Sequence, residues 1–320
     1  MELIYTDENK KDIDIFTETV DFETGDQTTQ NNFEIASRLL KENYWLYAPG
    51  TEWGGVVEYI QNTNDDSAPV WMGHTFRGLM MLDIIEPLEG NDHRIVSGEL
   101  NTILRELLGE LLGGFFVVPE KDSGLTITSY QFPLHVSYGT GIMDMLRGYD
   151  YRLYIHAEKE TPGEPFVVYA EAVPNKILAG QFDEDSRVTM YLTNDRMGYN
   201  HLICLGKGEL QERERIDLYL QPDGSITKTQ YYTGFDERTT VYENSNAESL
   251  TELENEGIKR LKEIMSKKTL QISIPDEDYE IGDVVVGIDR SNNLRVEKPI
   301  IGKILRKSGE TEEIEYKVGD

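Results

Sequence analysis

Hydrophobic and polar residues alternate along much of residues 1–85, with the period of half-buried β-strands. The clearest run is "FTETVDFETG" at 16–25, where Phe16, Val20 and Phe22 share one side and Asp21 lies on the other. Further short strands are predicted in "ELIYTD", "NNFEIAS", "YWLYAPG", "GGVVEYIQ" and "PVWMGHTFRGLMML". Several short strands at this spacing, separated by polar turns, are typical of a barrel or a sandwich.

The period becomes helical over residues 97–112. One stripe of this segment is apolar and consists of Leu100, Ile103, Leu104, Leu107, Leu108 and Leu111. Ser97 is the predicted N-cap, and Gly113–Gly114 are predicted to end the helix. A shorter helix is predicted over 139–149, and another over 247–267, where acids come early and Lys/Arg late, as the helix dipole favours.

Between and after these helices the chain returns to strands. The predicted strands are "GLTITSYQF", "YRLYIHAEK", "FVVYAEAV", "RVTMYLTND" and "HLICLGKGEL". A hairpin is predicted around Pro222-Asp223-Gly224, since these residues supply the turn between two alternating runs. A final β module is predicted from "TLQISI" to the end, with "RSNN" as one of its tight turns.

Charge and cysteine content narrow the class of protein. The 320 residues carry a net charge of −28, which repels nucleic acid phosphates and anionic membrane surfaces. Partners should therefore be basic, neutral or apolar at the contact. One cysteine excludes an intrachain disulfide, and no signal peptide or membrane-length apolar run is present in the sequence. We expect a soluble protein that is synthesised in a cytoplasm.

Candidate catalytic and metal-binding residues do not form a motif. Histidines at 74, 93, 135, 156 and 201 lack zinc-site spacing, so His74 and His156 are interpreted as hydrogen-bonded structural residues. Gly206 and Gly208 match neither a dinucleotide fingerprint nor a P-loop and are expected at a β-bulge or a tight strand end. The nuclease-like Glu315-Tyr316-Lys317 is only a three-residue match. We predict no catalytic residue, no metal ligand and no cofactor.

Three acidic turns could hold a cation but lack the spacing of an EF-hand. They are "NTNDDS" at 62–67, "FDEDSR" at 182–187 and "PDEDYEIGD" at 275–283. A solvated turn is the simpler interpretation of each. In the last of them we expect 275–280 to be exposed, the acids to face solvent or a lumen, and Ile281-Gly282-Asp283 to begin a strand.

Several motifs occur in an order that resembles one family. These are "GHTFRGLMMLDIIEP" at 73–87, "NHLICLGKGELQER" at 200–213, "YLQPDGSI", "GIKRLKEI", and the closing "IGDVVVGID", "IIGKILRK" and "IEYKVG". In this order they resemble the tail hub family of long-tailed phages and prophages, which includes siphophage tail proteins and the N-terminal hub domains of tail-associated lysins. The resemblance runs from about residue 10 to residue 319. His74 stands where the family usually has Arg.

The resemblance implies a β-rich α+β fold similar to the baseplate hub of contractile tails, with two tube-like β-barrel domains and an inserted α/β region. The first barrel would combine residues 1–94 with about 185–245. The insertion would be residues 95–184, and a helix with the second barrel would be residues 246–320.

The resemblance also implies a structural role without enzymatic activity. The protein would form a homotrimeric ring that closes the distal end of the tail tube at the virion tail tip. Its partners would be the distal tail protein, the tail tube protein and the tape measure protein, with a receptor-binding or lytic tail component as a further candidate. DNA would pass the lumen only transiently, and no membrane is involved. Part of the negative charge would line that lumen.

The alternative function is an acidic hydrolase with a glycosidase-like carboxylate pair, or a carbohydrate-binding β protein. An enzyme should show one deep cleft with two converging carboxylates, whereas a hub should show flat, extended surfaces.

Overall fold

The computed structural model describes residues 1–26, 29–62, 67–182, 190–247, 249–272, 279–309 and 311–319. The strands of the first half are β1 Ile4–Thr6, β2 Asp12–Ile15, β3 Val20–Gly25, β4 Asn32–Ala36, β5 Trp45–Tyr47, β6 Gly54–Val56, β7 Tyr59–Gln61, β8 Val70–His74, β9 Ile95–Glu99, β10 Phe116–Val117, β11 Thr126–Gln131 and β12 Tyr151–Glu158. Those of the second half are β13 Val167–Pro174, β14 Ile177–Phe182, β15 Met190–Asp195, β16 His201–Leu205, β17 Arg215–Leu220, β18 Ile226–Thr227, β19 Thr239–Glu243, β20 Lys267–Ile272, β21 Val284–Asp289, β22 Leu294–Ser308 and β23 Thr311–Val318. The α-helices are α1 Phe76–Leu79, α2 Leu100–Glu110, α3 Tyr138–Arg147 and α4 Leu250–Ile264, and short 3-10 turns lie at Leu111–Gly113, Leu210–Glu212 and Gly234–Asp236.

The largest sheet has the strand order β14-β21-β22-β3-β4-β8-β7, and β23 pairs with β22. Smaller sheets have the orders β2-β1-β5-β6, β10-β13-β12 and β18-β17-β16-β19, and two further pairs are β9 with β11 and β15 with β20. The predicted β-rich α+β class is confirmed. Within the described ranges no sheet closes into a barrel, so the two tube-like barrels stay a prediction.

The strand predicted around Phe22 is confirmed as β3. Val20 and Phe22 are buried and Asp21 is exposed, as the alternation requires. Phe22 lies opposite Phe33 of β4 and Leu305 of β22, and all three side chains are buried. The first core therefore uses a strand from near the end of the chain.

That pairing determines how the chain divides. One compact unit consists of residues 1–190, 271–287 and 297–320, and the other of residues 191–270 and 288–296. The first unit includes the part of β22 that pairs with β3. The assignment of the predicted segments to barrels stays a prediction.

The predicted leucine-rich helix is confirmed as α2, with every residue of its apolar stripe buried. Its predicted cap at Ser97 is wrong, since Ser97 lies in β9 and the helix begins at Leu100. Glu99 caps it instead, accepting hydrogen bonds from the backbone N–H groups of Asn101 at 2.9 Å and Thr102 at 2.7 Å. Gly113 and Gly114 end the helical segment at φ +66° and +79°.

Other local predictions need smaller corrections. The strand predicted in "PVWMGHTFRGLMML" ends at His74, because Thr75 caps α1 by accepting from the N–H of Gly78. The helix predicted over 247–267 is α4, and the Pro-Asp-Gly hairpin joins β17 to β18 with Gly224 at φ +89°.

Among the described residues, no helix combines the length and apolarity that a membrane span requires.

The Glu99 cap makes stability depend on pH. Partial burial alone would raise the pKa of Glu99, but hydrogen bonds from Ser123, Asn101 and Thr102 lower it to about 2. A lowered pKa means that the cap contributes fully above the ordinary pKa of 4.5 and is lost as the pH falls toward 2. We predict that Glu99→Gln lowers the free energy of unfolding by about 1–2 kcal/mol at pH 7.

Denaturant unfolding at several pH values checks this prediction. The difference between wild type and Glu99→Gln should shrink between pH 4.5 and pH 2. Glu120→Gln, at an exposed position, is the matched control and should follow the wild type. A difference that stays constant over this range would contradict the role given to the charged cap.

Candidate functional site: a buried charge network and the surfaces around it

The motif "GHTFRGLMMLDIIEP" at 73–87 forms a tight corner between β8 and α1. A Cβ at Gly73 would lie 1.7 Å from the carbonyl oxygen of Val56, and one at Gly78 would lie 2.3 Å from that of Asn31. Thr75 between them donates its hydroxyl hydrogen to the carbonyl of Asn31 and caps the helix. The two glycines are therefore explained by close backbone approach, and the corner presents Arg77 to the interior.

Arg77 and Glu52 form an ion pair that is shielded from solvent. Arg77 Nη2 and Nε lie 2.8 Å and 3.2 Å from Glu52 Oε2, and both side chains are 2% exposed. Arg77 also donates to the carbonyl of Leu153 at 3.2 Å. The pair therefore joins α1 to the β5–β6 connection and to β12.

Lys303 of β22 approaches the same carboxylate from its other oxygen. Its Nζ lies 2.9 Å from Glu52 Oε1, 2.8 Å from Glu280 Oε2 and 5.2 Å from the ring centre of Trp53. Burial alone would raise the pKa of Glu52, but Arg77 and Lys303 hold it well below its ordinary value. Burial would likewise lower the pKa of Lys303, but Glu52 and Glu280 raise it. The groups stay charged because each has a buried partner of opposite sign.

A second buried ion pair fixes the turn before β21. Arg152 Nε of β12 lies 2.9 Å from Asp283 Oδ1, and their side chains are 5% and 2% exposed. Gly282 has a φ of +99°, and a Cβ there would lie 2.5 Å from Cβ of Arg152. We call the five ionic residues Glu52, Arg77, Lys303, Arg152 and Asp283 the buried charge network.

The network corrects the interpretation of the acidic segment 275–283. Asp283 does not face solvent or a lumen, because it pairs with a buried guanidinium. The strand begins at Val284 rather than Ile281, since Gly282 turns the chain at positive φ. Residues 275–278 lie outside the described residues, as do the central residues of the two other acidic turns. Among the residues that are described, no cluster of His, Cys, Asp and Glu has the arrangement of a metal site.

The motif "NHLICLGKGELQER" at 200–213 also forms a structural turn. Asn200 fixes the start of β16 by donating to the carbonyl of Asp236 and accepting from the N–H of Arg238. Gly208 has a φ of +96°, and Arg213 Nε donates to the carbonyl of Gly206 at 3.2 Å. The prediction that these glycines serve a tight strand end is confirmed.

His201 in this motif is held on all sides. Its Nε2 lies 2.8 Å from Asp217 Oδ1, its Nδ1 lies 2.9 Å from Glu237 Oε1, and its ring stacks on Tyr219 at 4.3 Å. The hydrogen bonds from Arg215 lower the pKa of Asp217, burial opposes this, and His201 lowers it further. Both ring nitrogens are thus held by carboxylates of the protein itself.

His74 and His156, both predicted to be hydrogen-bonded, differ in whether Nδ1 has a hydrogen-bond partner. His74 is hydrogen-bonded as predicted, with Nδ1 2.5 Å from Glu58 Oε2. His156 is stacked between Tyr154 and Tyr169, and its buried Nδ1 has no hydrogen-bond partner in the described part of the chain, so the prediction is wrong for that atom.

The hydrolase alternative requires a cleft with two converging carboxylates, and two cavities can be compared with that requirement. One of about 290 Å³ is lined by Thr29, Gln30, Asn31, His74, Gly78, Met81, Ser137 and Thr140, a set without a carboxylate. One of about 650 Å³ is lined by Lys10, Leu112, Gly113, Gly114, Phe115, Val117, Glu160, Thr161, Glu164, Pro165, Phe166 and Val167. Its two carboxylates, Glu160 and Glu164, are both exposed.

Two outer strands expose apolar side chains to solvent. β2 ends one sheet and leaves Ile13 46% and Ile15 50% exposed. β7 ends the largest sheet and leaves Tyr59 56% and Ile60 46% exposed. An outer strand with an apolar surface and unpaired backbone groups is a natural site for pairing with another chain.

The chain has the fold of phage and prophage tail proteins, as comparison with solved structures shows. A 43 kDa tail protein of prophage MuSo2 from Shewanella oneidensis matches with a TM-score of 0.54 and 10% identity, over 100% of this chain and 98% of that one. A tail protein from Neisseria meningitidis MC58 matches with a TM-score of 0.51 and 12% identity, over 100% and 96%. The prophage tail protein gp18 from Listeria monocytogenes EGD-e matches with a TM-score of 0.50 and 14% identity, over 100% and 95%. The resemblance read from the motifs is thus confirmed at the level of the fold.

At these identities the likeness concerns the fold alone. Neither the protein-family models nor the curated proteins that were searched include a match to this chain.

Glu52 is the residue on which the network depends most. We predict that Glu52→Gln lowers the free energy of unfolding by about 3–5 kcal/mol, because it leaves two buried cations facing a neutral amide. Denaturant unfolding at neutral pH measures this. Glu313→Gln, at an exposed position on β23, is the matched control and should stay within about 0.5 kcal/mol of the wild type. A loss below about 1 kcal/mol for Glu52→Gln would contradict the role of the network.

Proposed function

We propose that this protein is a structural component of a phage or prophage tail, located at the tail tip or baseplate hub. It closes the distal end of the tail tube as a homotrimeric ring and connects the tube to tail-tip components. The observation that carries this proposal is the fold likeness to three tail proteins over 100% of this chain and 95–98% of theirs.

The exposed outer strands support an assembly role. Ile13 and Ile15 on β2, and Tyr59 and Ile60 on β7, would become buried when strands of neighbouring subunits pair with them. In such a ring the partners are further copies of this chain, the distal tail protein, the tail tube protein and the tape measure protein. A receptor-binding or lytic component docks on the outer face.

The proposed ring also assigns a role to the net negative charge. Part of the charge of −28 faces the lumen, so that DNA phosphates pass without binding. The protein acts in the virion tail after synthesis in the host cytoplasm and carries out no catalysis. The recognised motifs support this last point, because their residues make corners, turns and buried ion pairs.

Native mass spectrometry of the purified chain, mixed with the distal tail protein of the same tail, tests the ring. We predict a species containing three copies of this chain, which contribute about 110 kDa, or three times 36.6 kDa. A chain that stays monomeric beside its distal tail protein would contradict the trimer. Hydrolysis of a cell-wall polysaccharide by the purified chain would instead support the alternative function.

A further inference from the structure

The cavity of about 650 Å³ is a groove whose walls differ in chemistry. One wall comes from the segment after α2 and exposes Leu112, which is 45% exposed, and Val117, which is 40% exposed. Another part of the lining comes from the β12–β13 connection and carries Glu160 and Glu164. Such a groove combines an apolar surface with two carboxylates.

The apolar wall is built at a conformational cost. Leu112 has a φ of +48°, in the left-handed region that is unfavourable for a residue with a branched side chain. Leu112 is nevertheless 45% exposed rather than buried in the core. The fold therefore gains less burial from it than from a core leucine, and strained residues of this kind cluster at binding sites.

Phe115 and Phe166 line the groove and belong to an aromatic cluster with Trp45, which is not itself part of the lining. Trp45 and Phe115 stack with ring centres 5.2 Å apart, and Phe166 lies 6.1 Å from Trp45. Lys10 Nζ lies 4.5 Å from the ring centre of Phe115 and 5.6 Å from that of Trp45. The ring faces attract the ammonium of Lys10, and burial lowers its pKa.

The two carboxylates of the groove, Glu160 and Glu164, outnumber this one ammonium. Glu160 accepts a hydrogen bond from the neutral hydroxyl of Tyr169, and in the described part of the chain neither Glu160 nor Glu164 contacts a cation. The groove is thus complementary to a positively charged side chain, in keeping with the net charge of −28.

The last strand of one sheet contributes Val117 to the groove. β10 contains Phe116 and Val117 and pairs with β13 on one side, and it is the last strand of the sheet β10-β13-β12. Its other side has no strand partner among the described residues. An extended segment that pairs with β10 would place its side chains beside Val117, which lines the groove.

We propose that this groove is a docking site for an extended, basic and apolar segment of another tail protein. Its valine-like side chains pack on Leu112 and Val117, and its lysine or arginine pairs with Glu160 and Glu164. The identity of the partner as a tail protein rests on the proposed function. The prediction that the groove binds a basic and apolar peptide does not rest on the proposed function, because peptide binding and tail assembly are measured separately.

Binding of a short capped peptide of alternating lysine and valine tests the charge complementarity. Calorimetry should show binding by the wild type and none for a peptide of alternating glutamate and valine. Glu160→Gln/Glu164→Gln should weaken binding at least about tenfold. Glu209→Gln/Glu212→Gln, a pair of exposed residues outside the groove, removes the same charge and should change binding less than about twofold.

Leu112→Asn separates binding from folding. Asparagine tolerates the left-handed conformation, so this variant should melt about 2 °C higher than the wild type while binding the lysine–valine peptide several-fold more weakly. Weaker binding together with a lower melting temperature would assign Leu112 a structural role and contradict the proposal.

Other results would overturn the proposal directly. These are no binding by the wild type, equal weakening by both glutamine pairs, or equal binding of the glutamate–valine peptide. Dissociation of a self-assembled oligomer by Glu160→Gln/Glu164→Gln would identify the occupant as a second copy of this chain. Failure of peptide binding would leave the trimer prediction intact, and a monomer beside the distal tail protein would leave the peptide result intact.

Discussion

The ionic contact of Glu52 with Arg77 and Lys303 is the constraint on which this fold depends most. A carboxylate that is 2% exposed cannot remain charged without cations, and here the two cations come from α1 and from β22. Residues far apart in the sequence must therefore come together before any of these charges can be buried at an acceptable cost. Arg152 and Asp283 extend the same requirement to β12 and the turn before β21.

The recognised motifs serve this architecture. Gly73 and Gly78 allow the corner that presents Arg77, and Gly282 allows the turn that presents Asp283. His201, the histidine with the most contacts to carboxylates, has both ring nitrogens occupied. These polar residues thus stabilise the chain, as the proposed structural role requires.

Local features could be predicted from the sequence because they follow from short-range periodicity. The alternation around Phe22, the apolar stripe of α2 and the Pro-Asp-Gly hairpin are all of this kind. Long-range features could not. Nothing near Lys303 or Glu52 indicates that the two side chains meet, and the pairing of β22 with β3 joins segments almost a chain length apart. The sequence of 275–283 predicts solvated acids because it does not show the partner of Asp283, which lies more than a hundred residues earlier, at Arg152.

The proposed function makes this chain a structural part of the tail tip. Electron microscopy of isolated tails, with a gold label specific for this chain, tests that proposal most directly. Label is expected at the distal end of the tail tube and nowhere along the shaft. Intact tails without label at the tip would contradict it.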